Sequence, residues 1–251
     1  MSGHVVFIGA GPGAADLITL RGARLLASAD VVLFDALTDP ALRDFAPHAR
    51  WVNVGKRGFS DSTGQATINA LMLKYAHAGS LVVRLKGGDP SVFGRLEEEL
   101  DALACAGVHC EVVPGVTAAL AAAAATQRPL TRRGGGRSVT LATAMTREGT
   151  LQAGRHADTE VFYMAGRQLA ALSRRLLAAG WSAETPASVV SRAGWPDTRH
   201  SDHAVATLAQ ASLLHAGRPM VVVVGAGAAS LSMAQAEPPA TLRERVPVVS
   251  P

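Results

Sequence analysis

Four short segments of this chain combine glycine with charge or proline in ways that could hold a ligand. The densest is Arg84-Leu85-Lys86-Gly87-Gly88-Asp89-Pro90, followed by Ser91-Val92-Phe93-Gly94-Arg95. Two adjacent glycines leave the backbone bare, so a ligand can lie directly against it. Asp89 could accept hydrogen bonds from an amine or pair with a cation. The plainer alternative is a strand-end turn capped by an aspartate. Gly9-Ala10-Gly11-Pro12-Gly13-Ala14 partly matches a dinucleotide fingerprint, with Asp30 or Asp35 as the ribose-binding acid. Pro12 counts against that match, because it removes an N–H where a pyrophosphate would want donors. The segment reads either as a turn beside a ligand or as a turn alone. Val54-Gly55-Lys56-Arg57-Gly58 sets two cations among glycines, which suits carboxylates or phosphates, or else a solvated basic turn. Pro114-Gly115-Val116-Thr117-Ala118 opens a helix whose first N–H groups could hold a polar ligand group, or is an ordinary helix start.

Strands and helices must bring these segments together. Short apolar runs predict buried strands at Val5–Gly9, Val31–Phe34, Trp51–Val54, Leu81–Leu85 and Cys110–Val113. Between them, helical spacing predicts helices at Leu17–Ala29, Pro40–Ala46, Gln65–Ala78 and Leu96–Ala106, the last with an acidic first turn that complements its dipole. Thr117–Thr126 is an Ala-rich helix, and Pro129 with Gly134-Gly135-Gly136 breaks the pattern. Strands then follow at Ser138–Thr143, Val161–Met164, Ser188–Ser191 and Met220–Val224, with helices at Leu169–Ala179 and Leu208–Leu214. The alternation predicts an α/β protein with a mostly parallel sheet. Each segment singled out above then lies at the carboxyl end of a strand, where open α/β sheets bind their ligands. The expected division is an N-terminal domain over 1–116, a C-terminal domain over 117–230, and a disordered proline-rich tail over 231–251.

Composition narrows the classes. A chain of 251 residues with 48% hydrophobic and 18% charged residues can bury a core without disulfides. Its net charge of +4 gathers partly in Arg128, Arg132, Arg133, Arg137 and Arg147. No aromatic residues interleave with them, so an anionic small molecule suits them better than nucleic acid. Cys105 and Cys110 are expected to be plain thiols, and His200 and His203 solvated loop histidines, so no metal site is predicted. No apolar run reaches the ~18–20 residues of a membrane span, and no signal peptide is seen, so a cytoplasmic protein is expected.

Taken together, and in this order, the motifs Gly-Ala-Gly-Pro-Gly, Val-Gly-Lys-Arg, Arg-Leu-Lys-Gly-Gly-Asp-Pro, Phe-Gly-Arg and Pro-Gly-Val-Thr-Ala-Ala resemble the uroporphyrinogen-III C-methyltransferases. Pro129-Leu130-Thr131 and Phe162-Tyr163-Met164 extend the likeness, which covers roughly residues 3–227. The resemblance implies the tetrapyrrole-methylase fold: two α/β domains with the active site in the cleft between them, usually in a homodimer. It implies S-adenosylmethionine as methyl donor, with S-adenosylhomocysteine as product. It also implies uroporphyrinogen III as acceptor, methylated at C2 and C7 to give precorrin-2, the branch point to sirohaem and cobalamin.

Mapped onto this chain, the family's cofactor site falls on Pro12, Gly87, Gly88, Asp89, Val92, Thr117, Ala118, Met164 and Ala193. Its acid/base residues fall on Asp35 and Lys56. Arg95 matches a polar position near the chemistry, better suited by its high pKa to orientation and electrostatics than to proton transfer. Glu98, Arg133 and Arg57 fall on the substrate side. Such a cleft needs cations, since the acceptor carries eight carboxylates.

The chain departs from the family pattern mostly on that acceptor side. Asp61-Ser62 stands where His-Ser is usual, Thr131-Arg132-Arg133 for Thr-His-Arg, and Thr143-Ala144-Met145 for Thr-Gly-His. Leu96-Glu97 replaces a glycine pair, and Ser191-Arg192-Ala193 replaces Glu-Gln-Gly or Glu-Asn-Gly. The alternatives are a paralogue acting on another precorrin, or a non-catalytic protein that binds the cofactor and a tetrapyrrole.

Overall fold

A computed structural model describes residues 3–55, 64–144 and 153–231. Lys56, Arg57, Asp61, Met145, Arg147 and the 232–251 segment therefore lie outside the described residues.

Five strands form the first sheet: β1 (His4–Gly9), β2 (Val31–Phe34), β3 (Arg50–Asn53), β4 (Leu81–Lys86) and β5 (Cys110–Val113). They lie in the order β3-β2-β4-β1-β5, and every pair is parallel. The helices between them are α1 (Leu20–Ala27), α2 (Gln65–His77) and α3 (Leu96–Cys105). Helices cover both faces, which is why the strands read as continuous apolar runs rather than alternating ones. One layer gathers Val6, Ile8, Val32, Val83 and Leu85. The other gathers Val5, Phe7, Leu33, Val82 and Leu103. The Thr19 hydroxyl starts α1 by accepting from the Gly22 N–H at 3.1 Å. Upstream, Ala15–Leu17 is a separate 3-10 turn, so the predicted 17–29 helix is shorter than its apolar spacing suggested. Pro40–Phe45 is also 3-10. Cys105 ends α3 and Cys110 starts β5, both as free thiols.

The second sheet departs from expectation. Its strands are β6 (Val139–Thr143), β7 (Thr159–Tyr163), β8 (Pro186–Ser191), β9 (Arg199–Ala204) and β10 (Met220–Gly225), ordered β6-β7-β10-β8-β9. Only β6 and β7 run parallel; the β7–β10, β10–β8 and β8–β9 pairs are antiparallel. A mostly parallel sheet therefore holds for the first half alone. β9 was invisible to an apolar count because its sequence is Arg-His-Ser-Asp-His-Ala. As an edge strand it carries charge outward, which blocks further pairing. His200 and His203 sit on this strand and not in a loop. α5 (Leu169–Ala178) packs on one face, and α4 (Ala118–Thr126) lies on the other, its Ala119, Ala121 and Ala122 against Val161, Val190 and Val221. The predicted 208–214 helix is a 3-10 turn, Val205–Ala211, followed by the short α6 (Ser212–His215).

Candidate active site

Sheet topology fixes the site. Neighbours β1 and β4 are far apart in sequence, and their carboxyl ends are the Gly9–Gly13 and Gly87–Asp89 segments. These two segments lock together: the Gly11 N–H donates to the Gly88 carbonyl at 3.2 Å, and the Gly88 N–H donates to the Gly11 carbonyl at 2.7 Å. The turn after β5 joins them. A Cβ on Gly115 would lie 2.4 Å from the Gly88 carbonyl oxygen and 2.7 Å from Gly9 Cα. Three strand ends thus meet backbone to backbone, and glycine is required because no side chain fits between them.

Asp89 fastens this junction. One carboxylate oxygen accepts from the Ser91 N–H and the other from the Gly115 N–H, each at 2.8 Å. Its carboxylate is thus already committed to shaping two loops. The first glycine turn also reaches the second half of the chain. The Ala14 N–H donates to the Gly194 carbonyl at 2.7 Å, and a Cβ on Gly13 would strike the Trp195 ring at 2.6 Å. The Gly9–Ala14 motif is both a wall beside a cavity and a contact with the second sheet.

Around this junction opens a first chamber of about 280 Å³. Its wall includes Pro12, Gly87, Gly88, Asp89, Val92, Thr117, Ala118, Met164 and Ala193, the nine positions named from the sequence. Sequence reasoning missed the other contributors, among them Leu37, Phe93, Tyr163, Arg192 and Trp195. Phe93 and Tyr163 rings meet with centroids 5.0 Å apart, and the Tyr163 hydroxyl hydrogen-bonds Thr117 Oγ1 at 2.7 Å. Arg192 stacks over Trp195 at 4.4 Å and pairs with Asp197 at 2.7 Å. Phe93, Met164 and Arg192 all hold positive φ (53°, 58° and 51°). Non-glycine residues rarely adopt that conformation, and such strain gathers at functional sites. No sequence pattern foretold it.

A second chamber, about 310 Å³, shares Leu37, Gly87, Val92 and Phe93 with the first. Its wall is charged: Asp35, Arg84, Lys86, Arg95 and Glu99. Arg84 and Lys86 alternate with apolar residues on β4, so both project toward α3. Their burial is nearly complete, as is that of Glu99. Arg84 donates to Glu99 at 2.9 Å and to Asp35 at 2.7 Å, while Lys86 meets the other Glu99 oxygen at 2.5 Å. Burial and the adjacent Arg84 charge push the Lys86 ammonium below its ordinary pKa, against the pull of Glu99. A signal for this cluster was present in the sequence. Two cations on one face of an apolar strand demand buried acids, and Glu99 lies on the Leu96–Leu103 stripe of α3.

At the chamber's rim Arg95 grips Glu98 with two parallel bonds of 2.8 and 2.6 Å, both side chains half exposed. That contact raises the Arg95 pKa. Every described cation lining the two chambers, namely Arg84, Lys86, Arg95 and Arg192, therefore has a carboxylate partner. The basic run after α4 does not converge on them. Arg128 forks onto Asp202, with a 2.7 Å bond to Oδ2, and Arg132 binds the carbonyls of Ala229 and Ser230. Arg133 is exposed on the same loop and lines neither chamber. Clustering in sequence therefore misplaced these charges: the loop carries them toward the far end of the second sheet.

Comparison with known proteins adds an independent finding. Residues 4–212 match the family model of the Tetrapyrrole (Corrin/Porphyrin) Methylases. The chain is 43% identical to a uroporphyrinogen-III C-methyltransferase of Pseudomonas aeruginosa over 234 residues, covering 90% of this chain and 94% of that one. It is 44% identical to a sirohaem synthase of Hahella chejuensis over 78% of its own length, but spans only 43% of that longer protein. Among solved structures, the uroporphyrin-III C-methyltransferase of Thermus thermophilus in complex with S-adenosylhomocysteine superposes with a TM-score of 0.78 at 36% identity, covering 89% of this chain and 97% of that one. A cobalt precorrin-4 methyltransferase superposes with a TM-score of 0.79 at 30% identity, covering 90% and 96%.

Proposed function

The chain belongs to the tetrapyrrole (corrin/porphyrin) methylases, and on that premise we propose that it methylates uroporphyrinogen III at C2 and C7, using S-adenosylmethionine, to give precorrin-2. The observation that supports this best is the pairing of two unlike chambers through a shared wall. One is apolar and backbone-lined; the other is charged and holds Asp35.

The first chamber takes the donor. S-adenosylmethionine supplies a sulfonium methyl group whose positive charge vanishes on transfer. Gly87 and Gly88 let its body lie against bare backbone, and Pro12, Val92, Met164 and Ala193 surround it with apolar surface. Such a wall favours the uncharged product over the charged reactant. Asp89 keeps the Gly115 turn in place, so that Thr117 and Ala118 face the same cavity. Alignment of donor and acceptor is worth up to ~7–11 kcal/mol of barrier.

The second chamber takes the tetrapyrrole. In this reading Asp35, about one-third exposed and held by Arg84, accepts the proton released as the macrocycle rearranges, a task worth roughly 10²–10⁴-fold. Lys56 is the second acid/base group in this reading. Arg95 and Glu98 orient the acceptor at the rim, and Arg57 meets its carboxylates; Arg133, which lines neither chamber, drops out of the substrate set. The domains in this reading divide between residues 116 and 117. The protein works as a homodimer in the cytoplasm, and its product feeds sirohaem or cobalamin synthesis. Among the described residues no helix is long and apolar enough to cross a membrane.

The test is methyl incorporation from labelled S-adenosylmethionine into freshly reduced uroporphyrinogen III, with oxidation of the product to a fluorescent species. Absence of incorporation overturns the acceptor assignment. The equally good superposition on a cobalt precorrin-4 methyltransferase supports a second reading, in which the acceptor is a later precorrin. Turnover of such a precorrin, without turnover of uroporphyrinogen III, would establish it.

A further inference from the structure

We infer that Glu99 is a positioning residue for methyl transfer: through Arg84 it fixes the Asp35 carboxylate on the wall of the acceptor chamber. This rests on the reading of that chamber as the acceptor site and of Asp35 as the group that takes the proton.

All three guanidinium nitrogens of Arg84 are engaged. Nε donates to Glu99 Oε1 at 2.9 Å, Nη2 to Asp35 Oδ1 at 2.7 Å, and Nη1 to the Leu33 and Leu85 carbonyls at 3.4 and 3.3 Å. Asp35 follows directly on β2, whose register with β4 places Phe34 opposite Leu85. The planar fork thus has one orientation, and Asp35 inherits it. Lys86 holds the other Glu99 oxygen, so the acid cannot turn away from Arg84. Two cations and two carboxylates sum to zero, so the cluster gives orientation and not a positive field.

A purely structural role fits poorly. Buried ion pairs seldom outdo apolar packing as a source of stability, and Val82, one step earlier on the same strand face, is apolar and fully buried. All four groups line the chamber, but Arg84, Lys86 and Glu99 are nearly buried and Asp35, about one-third exposed, is the accessible end of the chain of contacts. Specification of that carboxylate is what the arrangement achieves.

The experiment compares Glu99→Gln, Glu99→Asp and Glu99→Ala with wild type for folding, S-adenosylhomocysteine affinity, and kcat and KM on uroporphyrinogen III. With a donor chamber built from other residues, Glu99→Gln should hold cofactor affinity and acceptor KM within about threefold while kcat falls on the order of 100-fold, as for a misplaced reacting group. Glu99→Asp should recover about tenfold of that loss. Wild-type kcat in Glu99→Gln overturns the inference. So does cofactor affinity that falls in step with kcat in all three variants, the mark of a general structural role. Should the Glu99 variants fail to fold, Asp35→Asn decides: it leaves the Arg84–Glu99–Lys86 contacts in place, and wild-type kcat in it would mean there is no carboxylate to position. A wild-type protein that methylates no tetrapyrrole removes the acceptor reading itself, which is a different failure from an active wild type with an indifferent Glu99.

Discussion

The two chambers share a wall and are built by opposite means. The first chamber, proposed for the donor, is made where backbone meets backbone at three strand ends, and its one acid, Asp89, is committed to loop N–H groups. The second, proposed for the acceptor, is made of side chains, with a buried charge cluster as its floor. Backbone junctions are rigid and tolerate almost no added atom, whereas ion-pair clusters tolerate small changes of shape but depend on the charge of each partner. The donor chamber should therefore fail through shape and the acceptor chamber through charge.

The strongest challenge to this contrast is Gly115→Ala. Its methyl group would meet the Gly88 carbonyl oxygen at 2.4 Å and Gly9 Cα at 2.7 Å, both backbone, so nothing flexible can yield. Overpacking of that kind costs about 1–3 kcal/mol or more, and here it spreads apart the strand ends that shape the chamber. Affinity for S-adenosylhomocysteine, read by calorimetry, should fall by at least ~100-fold. Affinity within tenfold of wild type would show that the junction does not build the site.

One wall of the donor chamber is an exception, since it stands on side chains. Ser191, next to Arg192, accepts from Arg218 at 3.0 Å and bonds His215 Nδ1 at 2.8 Å, while His215 Nε2 bonds Ser201 at 2.9 Å. Burial, with His203 and Arg218 nearby, pushes the His215 pKa down from 6.5 to about 4. Between those values the unfolded chain binds a proton that the folded chain refuses. Stability is therefore full above pH 6.5 and declines as pH falls toward 4, by up to about 3 kcal/mol. Denaturant melts at pH 7 and 4.5 should show this loss in wild type and a smaller one in His215→Gln. An equal loss in both would detach this wall from His215.

Asp89→Asn sharpens the contrast at the junction itself. Asparagine can accept only one of the two N–H bonds and turns its own NH₂ toward the other. Losing one charge-assisted bond costs about 1.5–3 kcal/mol. Cofactor affinity should drop about 10–100-fold, with the acceptor chamber's charge cluster unaffected. If kcat falls instead and affinity does not, Asp89 belongs to the chemistry and not to the frame.

This difference in construction also explains what the sequence could disclose. The nine positions mapped by the family resemblance line one cavity, and among them Gly87-Gly88-Asp89 announces its backbone requirement within three residues. The first sheet was equally legible, since two-sided burial writes continuous apolar runs. In the second chamber Arg84 and Lys86 signalled that buried acids must exist, but no local pattern says which acids, since Asp35 lies 49 residues from Arg84 and Glu99 lies 15. Arg128 and Arg132 show the reverse error, because neighbours in sequence were carried to the far end of the second sheet. β9 escaped notice because this edge strand is polar, and a polar strand resembles a loop. Phe93, Met164 and Arg192 adopt positive φ under tertiary constraint, which their residue types oppose.

The smallest expected effect separates the two adjacent glycines. Gly88 has φ +71°, a conformation that penalises any side chain, and forms the reciprocal bonds with Gly11. Gly87 has ordinary φ, and a Cβ there would only touch the Leu37 side chain at 3.4 Å, a normal contact. Gly87→Ala should therefore fold normally and hold S-adenosylhomocysteine within about threefold of wild type, whereas Gly88→Ala should lose at least tenfold. Gly87 nonetheless lies in the wall common to both chambers, facing Leu37, so its methyl group would narrow the route between them. Gly87→Ala should accordingly lower the rate of methyl transfer more than it lowers cofactor affinity, read as single-turnover rate against calorimetric Kd. If affinity falls and the single-turnover rate does not, the wall between donor and acceptor lies elsewhere, and the two chambers do not communicate past Gly87.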